Sequence, residues 1–270
     1  MEGKRPDIER LTRLMERLRG LEGCPWDREQ TLPSLVPFII EEAYEVVSAI
    51  DSGSFEPVKD ELGDLLFQII FASRIAEEAG QFGLSDVIDC SYDKMVRRHP
   101  HVFGDKEATT PEEVLRQWAE IKKGEKKPEG AKAGCLSGVP ETLPALLRAH
   151  KISQKAARAG FDWKDVDEVL KKFDEELKEF MEALKMRDAA GMEEELGDLL
   201  FTVVNIGRFI EVNPEDALRK TIGKFITRFH HVEQEIISRG QDLSSTPIEE
   251  MERLWGEAKA KEKNPKKPTP

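Results

Sequence analysis

The chain has 270 residues, 41 of them basic and 53 acidic, for a formal net charge of -12. That balance disfavours nucleic acid and anionic membranes as partners, since both need a basic face, but it leaves room for a small anionic ligand held by a few local cations or by metal. Hydrophobic residues at 39% supply a real core, and no apolar run approaches the roughly 20 residues of a membrane span.

Taken in chain order, almost every segment carries helical periodicity, and period-two strand patterns are absent. The opening MEGKRPDIERLTRLMERLRG is charged throughout and lacks the apolar centre of a signal peptide. CPWD follows, and then PFIIEEAYEVVSAI, a helix. DSGSFEPVKD carries Gly53 and Pro57 and turns the chain back into a second helix, ELGDLLFQIIF. KMVRR (94–98), RRHPHVFGD and WAEIK (118–122) complete the first half. GEKKPEGAKAGCLSGVP (124–140) has no helical apolar period and reads as a linker. The second half repeats the order: FDWK around Trp163, EELKE (175–179), Gly191 near a turn, ELGDLLF again from Glu195, KFITR (224–228) and WGEAK (255–259). Five matches in one order mean an internal duplication, and two long copies mean a tandem domain pair rather than a solenoid. The expected architecture is all-α, with helical domains at 1–123 and 141–262, the linker between them and a disordered tail at 263–270. The three cysteines, Cys24, Cys90 and Cys135, are too widely spaced for a zinc knuckle or a disulfide framework. A cytoplasmic protein with reduced thiols is expected.

The acids carry the chemistry. At about 100° per residue, Glu61, Asp64 and Gln68 fall on one stripe of a helix that is otherwise apolar nearly all round, so Glu61 and Asp64 are expected to be largely buried, as are Glu195 and Asp198. Glu42 and Glu45 share a face of the preceding helix, with Glu41 at its edge. Two antiparallel helices then gather Glu42, Glu45, Glu61 and Asp64. The second half gathers Glu176, Glu179, Glu195 and Asp198, and Glu42–Glu61 and Glu176–Glu195 have the same separation in the chain. Close carboxylate pairs repel by on the order of 4 kcal/mol at an effective dielectric of about 20, so either protons or a cation must sit among them. Oxygen-only ligands favour Mg²⁺ or Mn²⁺. A di-iron site would want a Glu-x-x-His that is missing here. Gly63 and Gly197 are costly inside a helix and are expected where a helix or ligand comes close.

Lys94 and Arg98 share a helix face, as do Lys224 and Arg228; Trp118 with Lys122 and Trp255 with Lys259 are again four apart. Cations beside an aromatic suit a ligand with phosphates and a base. His99, His101, His230 and His231 are too irregular for a metal box and read as surface or outer-layer groups, and Cys24 reads as packed.

On these residues the sequence resembles the MazG family of all-α nucleoside triphosphate pyrophosphohydrolases. The family's EExxE…ExxD motif fits Glu41-Glu42-Ala43-Tyr44-Glu45 with Glu61-Leu62-Gly63-Asp64, and Glu175-Glu176-Leu177-Lys178-Glu179 with Glu195-Leu196-Gly197-Asp198. The resemblance implies Mg²⁺-dependent hydrolysis of NTPs or dNTPs to monophosphate and pyrophosphate, with a role in clearing nucleotide pools or adjusting them under stress. It implies metal ligation by the eight acids and substrate contact by Lys224, Arg228, Trp255 and Lys259, with Lys94, Arg98, Trp118 and Lys122 as their first-half matches. It also implies a homodimer with sites built partly at subunit contacts. Glu41 and Glu175 are the candidate proton acceptors. In one departure, the family often has an Asn two residues before the Lys of the KFxxR segment; here Ile222 and Tyr92 stand there. A regulatory nucleotide- or alarmone-binding helical dimer, and a narrower dUTP or phosphoribosyl-ATP pyrophosphohydrolase, are alternative readings.

Overall fold

The computed structural model describes residues 8–124 and 134–263, apart from the side chains of 119, 122, 123 and 263. Among the described residues there is no strand, and no helix is long and apolar enough to cross a membrane. The chain divides into two compact units, Met1–Lys126 and Lys127–Pro270. Most of the expected linker (125–133) and nearly all of the expected tail (264–270) lie outside the described residues.

The first unit holds α1 (Ile8–Arg19), α2 (Pro25–Glu29), α3 (Leu32–Ser52), α4 (Phe55–Glu78), α5 (Leu84–Arg98), α6 (Pro100–Phe103) and α7 (Pro111–Gly124). Thr31 caps α3 through a reciprocal bond pair with Ser34, which satisfies N–H groups that have no partner inside the helix. Gly53 ends α3 at φ 72, a left-handed turn that glycine adopts without steric cost. It sends α4 back antiparallel against α3. The core is Met15, Leu35, Ile70 and Phe71, with Leu11, Phe38, Leu66 and Phe67 packed on it. Arg19 locks α1 to this hairpin: it donates to Glu78 at 2.7 Å and to the carbonyls of Asp27 and Gln30.

The second unit holds α8 (Ala145–Arg158), α9 (Val166–Met186), α10 (Ala189–Phe209), α11 (Pro214–Ser238), a 3-10 turn at Leu243–Ser245 and α12 (Ile248–Lys263). Asp165 caps α9 by accepting from the Glu168 amide, and Asn213 caps α11. The turn between α9 and α10 is made by Arg187 at φ 55, not by Gly191, which lies in the first turn of α10. A Cβ on Gly191 would meet the Asp188 carboxylate at 2.8 Å, a side-chain contact that Asp188 would have to shift to relieve. Lys155 donates to the Ser137 carbonyl at 2.9 Å, tying the end of the expected linker to α8. Val232, Ile236 and Leu254 pack α11 on α12.

Each unit leaves much of its apolar surface uncovered within the single chain. Leu62 (50% exposed) and Ile69 (43%) on α4 are open, as are Leu196 (48%) and Leu200 (49%) on α10 and Ile222, Phe225 and Ile226 on α11. This overturns the expected burial of the ExxD acids: Asp64 and Asp198 are exposed, and Glu61 and Glu195 are half-buried. Their helices are apolar nearly all round, but in one chain only one side of that ring has a partner. Gly63 and Gly197 are exposed too, and a Cβ on either would meet nothing within 4 Å. Neither glycine lies at a close approach within this chain.

Candidate functional site

The α3–α4 hairpin brings one oxygen each of Glu42, Glu45 and Glu61 within 4.8 Å of one another, and the α9–α10 hairpin does the same with Glu176, Glu179 and Glu195. The register follows from the sequence: an i, i+3 pair on the incoming helix faces a single acid on the returning one. Asp64 and Asp198 stand one turn beyond Glu61 and Glu195, outside these close triplets. Their charges still bear on them, Asp64 on Glu42 and Glu61 and Asp198 on Glu195.

Crowding sets the electrostatics. Desolvation, then the charges of Asp64 and Glu45, push the Glu42 carboxyl above its ordinary value. Desolvation, then Glu45 and Asp64, does the same for Glu61, and desolvation, then Glu179 and Glu176, for Glu195. Each shift marks an ionised carboxylate short of positive charge. Oxygen-only triplets of this kind fit a hard divalent cation.

The halves neutralise their innermost acid differently. In the first, the nearby neutral Gln68 amide only partly offsets the upward push on the Glu42 carboxyl, and Glu42, Glu45 and Glu61 form no ion pair among the described residues. In the second, Glu176 is only 5% exposed and Lys172 reaches it at 2.7 Å. The same ammonium holds Glu175 at 2.8 Å. Glu41 and Glu175 are both exposed.

The basic and aromatic groups gather elsewhere in each unit. Arg228 on α11 donates to Glu262 on α12 at 2.6 Å, with its guanidinium 5.6 Å over the Trp255 ring. Phe225 flanks Trp255 at 5.0 Å and lies over Phe229 at 6.1 Å. Lys224 and Lys259 are exposed. In the first unit Trp118 and Lys94 are half-buried, and His99 packs edge-on against Trp118 at 4.9 Å, with the His101 ring 5.6 Å away. His99 is therefore part of the aromatic wall rather than a surface group. The side chain of Lys122 lies outside the described residues. α12 packs on α11, and no hydrogen bond or ion pair joins Lys94, Lys224 or Lys259 to the acid triplets among the described residues. In the second half the acid triplet and the cation–aromatic wall are thus separate parts, with no bond between them among the described residues. Sequence reasoning missed Lys172 and Glu262. The signals were present as i, i+4 spacing from Lys172 to Glu176 and as an acid two turns beyond Trp255 and one turn beyond Lys259 on the same helix.

Comparison with known proteins bears on this duplicated acid hairpin. A family model described as the MazG nucleotide pyrophosphohydrolase domain matches twice, at residues 30–103 and 164–233. The chain belongs to the MazG nucleotide pyrophosphohydrolase family. The two matches cover both acid hairpins and both KxxxR segments. The chain is 43% identical over 260 residues to the nucleoside triphosphate pyrophosphohydrolase of Escherichia coli K12, covering 94% of this chain and 98% of that one. It is 45% identical to the nucleoside triphosphate pyrophosphohydrolase/pyrophosphatase MazG of Thermotoga maritima, covering 93% and 95%. A Bacillus subtilis protein, YabN, is 43% identical over 93% of this chain, which spans 51% of that protein.

Proposed function

We propose that each half hydrolyses nucleoside triphosphates, ribo- or deoxyribo-, to the monophosphate and pyrophosphate with the help of Mg²⁺, which Mn²⁺ can replace. The observation that carries this reading is the carboxylate triplet within 4.8 Å, built twice in the same register. Glu42, Glu45 and Glu61 would hold the ion in the first half and Glu176, Glu179 and Glu195 in the second, with Asp64 and Asp198 completing each set. The ion, when bound, supplies charge neutralisation for the phosphates and polarises water. Phosphoryl transfer asks the protein mainly for alignment and electrostatics. Lys224 and Arg228, and Lys94 and Arg98 in the first half, would meet phosphate oxygens, with Lys259 and Lys122 as further cations. Trp255 and Trp118 would stack on the base. A water oxygen forms the new bond to the α-phosphorus, the α–β P–O bond breaks, and pyrophosphate leaves with the electron pair. Glu41 or Glu175 would take the water's proton.

The domain limits 1–123 and 141–262 belong to the same proposal, as does a homodimer in the cytoplasm that clears or adjusts nucleotide pools. The exposed large apolar residues of α3 and α4 in one unit, and of α10 and α11 in the other, support the dimer, since apolar side chains left open in a single chain suit a covered face. A second copy is also a means of bringing a cation–aromatic wall onto an acid triplet. Sedimentation at the monomer mass would overturn this part.

The test of the reaction is product identification by phosphorus NMR. Each common NTP and dNTP is incubated with the full chain and Mg²⁺, and again with EDTA. Monophosphate plus pyrophosphate, lost in EDTA, is expected. Diphosphate plus orthophosphate would overturn the bond assignment, and nucleotide binding without product would favour a regulatory protein.

A further inference from the structure

The two acid triplets share one register but not one counter-charge. Four residues before Glu176 stands Lys172; four before Glu42 stands Phe38. Phe38 belongs to the core and packs edge-on against Trp26 at 5.6 Å, so the first half has no cation at that position. Lys172 bonds at 2.7 Å to a Glu176 carboxylate that is nearly closed off from solvent. The first half instead gives Glu42 the dipole of Gln68, a residue whose second-half counterpart is the buried Thr202. One half therefore presents an acid triplet with a neutral neighbour, and the other a triplet already holding a full positive charge.

An ammonium and a divalent ion that seek the same carboxylate compete. In the second half an arriving ion must either share Glu176 with a positive charge or displace it. Lysine suits such an exchange, since its compact charge rides on a flexible stem and Lys172 is partly exposed. An anionic ligand that drew the ammonium away would free Glu176 and Glu175 together, which couples ion binding to ligand binding.

We propose that Lys172 is a positioning residue that acts as an internal counter-ion, so that, without nucleotide, the second half binds a divalent cation at least tenfold more weakly than the first. The inference rests on the metal reading of the acid triplets, and it makes the halves load in different orders: the first takes the ion alone, the second takes it with an anion.

The test uses full-length chain and Mn²⁺ alone, with free ion counted by electron paramagnetic resonance. Glu42→Gln disables the first triplet and Glu176→Gln the second, so each variant reports the other half. The Glu42→Gln chain is expected to bind Mn²⁺ at least tenfold more weakly than the Glu176→Gln chain. Adding Lys172→Met to Glu42→Gln is expected to recover most of that factor, whereas Lys172→Arg, which keeps the charge, is expected to recover little. Equal affinity in the two single variants would overturn the proposal and leave the metal reading standing; that comparison keeps Lys172 and so decides even if Lys172→Met does not fold. Unchanged or weaker binding on adding a folded Lys172→Met would also overturn it. No Mn²⁺ bound by either single variant or by the native chain would overturn the metal reading itself.

Discussion

Glu42→Gln and Glu176→Gln are expected to divide the turnover of the full chain between them, and the chain carrying both is expected to run at least about a hundredfold slower than the native one. The magnitude follows from position. Loss of an outer partner that merely orients a metal ligand costs about 10–100-fold, and Glu42 and Glu176 are the most enclosed members of their triplets. Gln keeps the shape and removes the charge. Unfolding is separable from loss of function, because the two acids differ in what they lose. Glu42 is crowded by Asp64 and Glu45, and its carboxyl lies above its ordinary value. Replacing it by a neutral amide relieves repulsion, so the metal-free variant should melt no lower than the native chain. Glu176 has Lys172 as its partner, and its variant should melt somewhat lower. Steady-state rates of both single variants and the double one, at saturating Mg²⁺ and nucleotide, check this. A double variant within tenfold of the native rate would remove the triplets from the reaction.

The acid hairpin was legible in the sequence because helical periodicity fixes which residues share a face, and the duplication repeats the pattern. The Glu42–Glu45 pair facing Glu61 needs only the period of the helix and a short turn at Gly53. The burial of Asp64 and Asp198 was not legible in the same way. A ring of Leu, Ile and Phe around ELGDLLF says that the helix is covered, but not which chain covers it. In one chain Leu62, Ile69, Leu196 and Leu200 remain open, and so do Asp64, Asp198, Gly63 and Gly197. His99 illustrates a different limit: RRHPHVF carries no sign that the first histidine meets a tryptophan on a helix after the next, because that contact depends on how α5 and α7 cross. Arg19 was hidden by composition. A stretch so rich in charge reads as a solvated helix, yet Leu11, Met15 and Arg19 follow one another at i, i+4, and the first two are core positions.

That arginine supports a second prediction of large effect. Arg19→Ala is expected to destabilise the first unit by about 3 kcal/mol, the lower end of what breaking a buried ion pair costs, since Glu78 is partly exposed. At about 4 °C per kcal/mol for a domain of this size, its melting transition should fall by about 12 °C. The Arg19 side chain is 8% exposed. It donates from Nε and Nη2 to Glu78, from Nη1 to the Asp27 and Gln30 carbonyls, and sits 5.5 Å over the Phe71 ring. Alanine leaves those two carbonyls without that donor and removes packing from the core. Arg19→Lys keeps the charge but not the planar fork and should recover only part of the loss. The pH dependence carries a second signature. The hydrogen bond from Arg19, ahead of opposing desolvation and of the Arg74 bond, holds the Glu78 carboxyl below its ordinary value of 4.5. A depressed carboxylate contributes stability that is present above its unfolded value and is lost as pH falls through the folded one. The native chain should therefore lose part of its stability below about pH 4.5, and Arg19→Ala should lose less over the same window, since only Arg74 remains to hold Glu78 down. Differential scanning calorimetry of the three chains from pH 7 to pH 3.5 measures both effects. A first-unit transition within 2 °C of native in Arg19→Ala at pH 7, or an unchanged acid limb, would show that α1 is held by its apolar contacts alone and that the arginine is incidental to them.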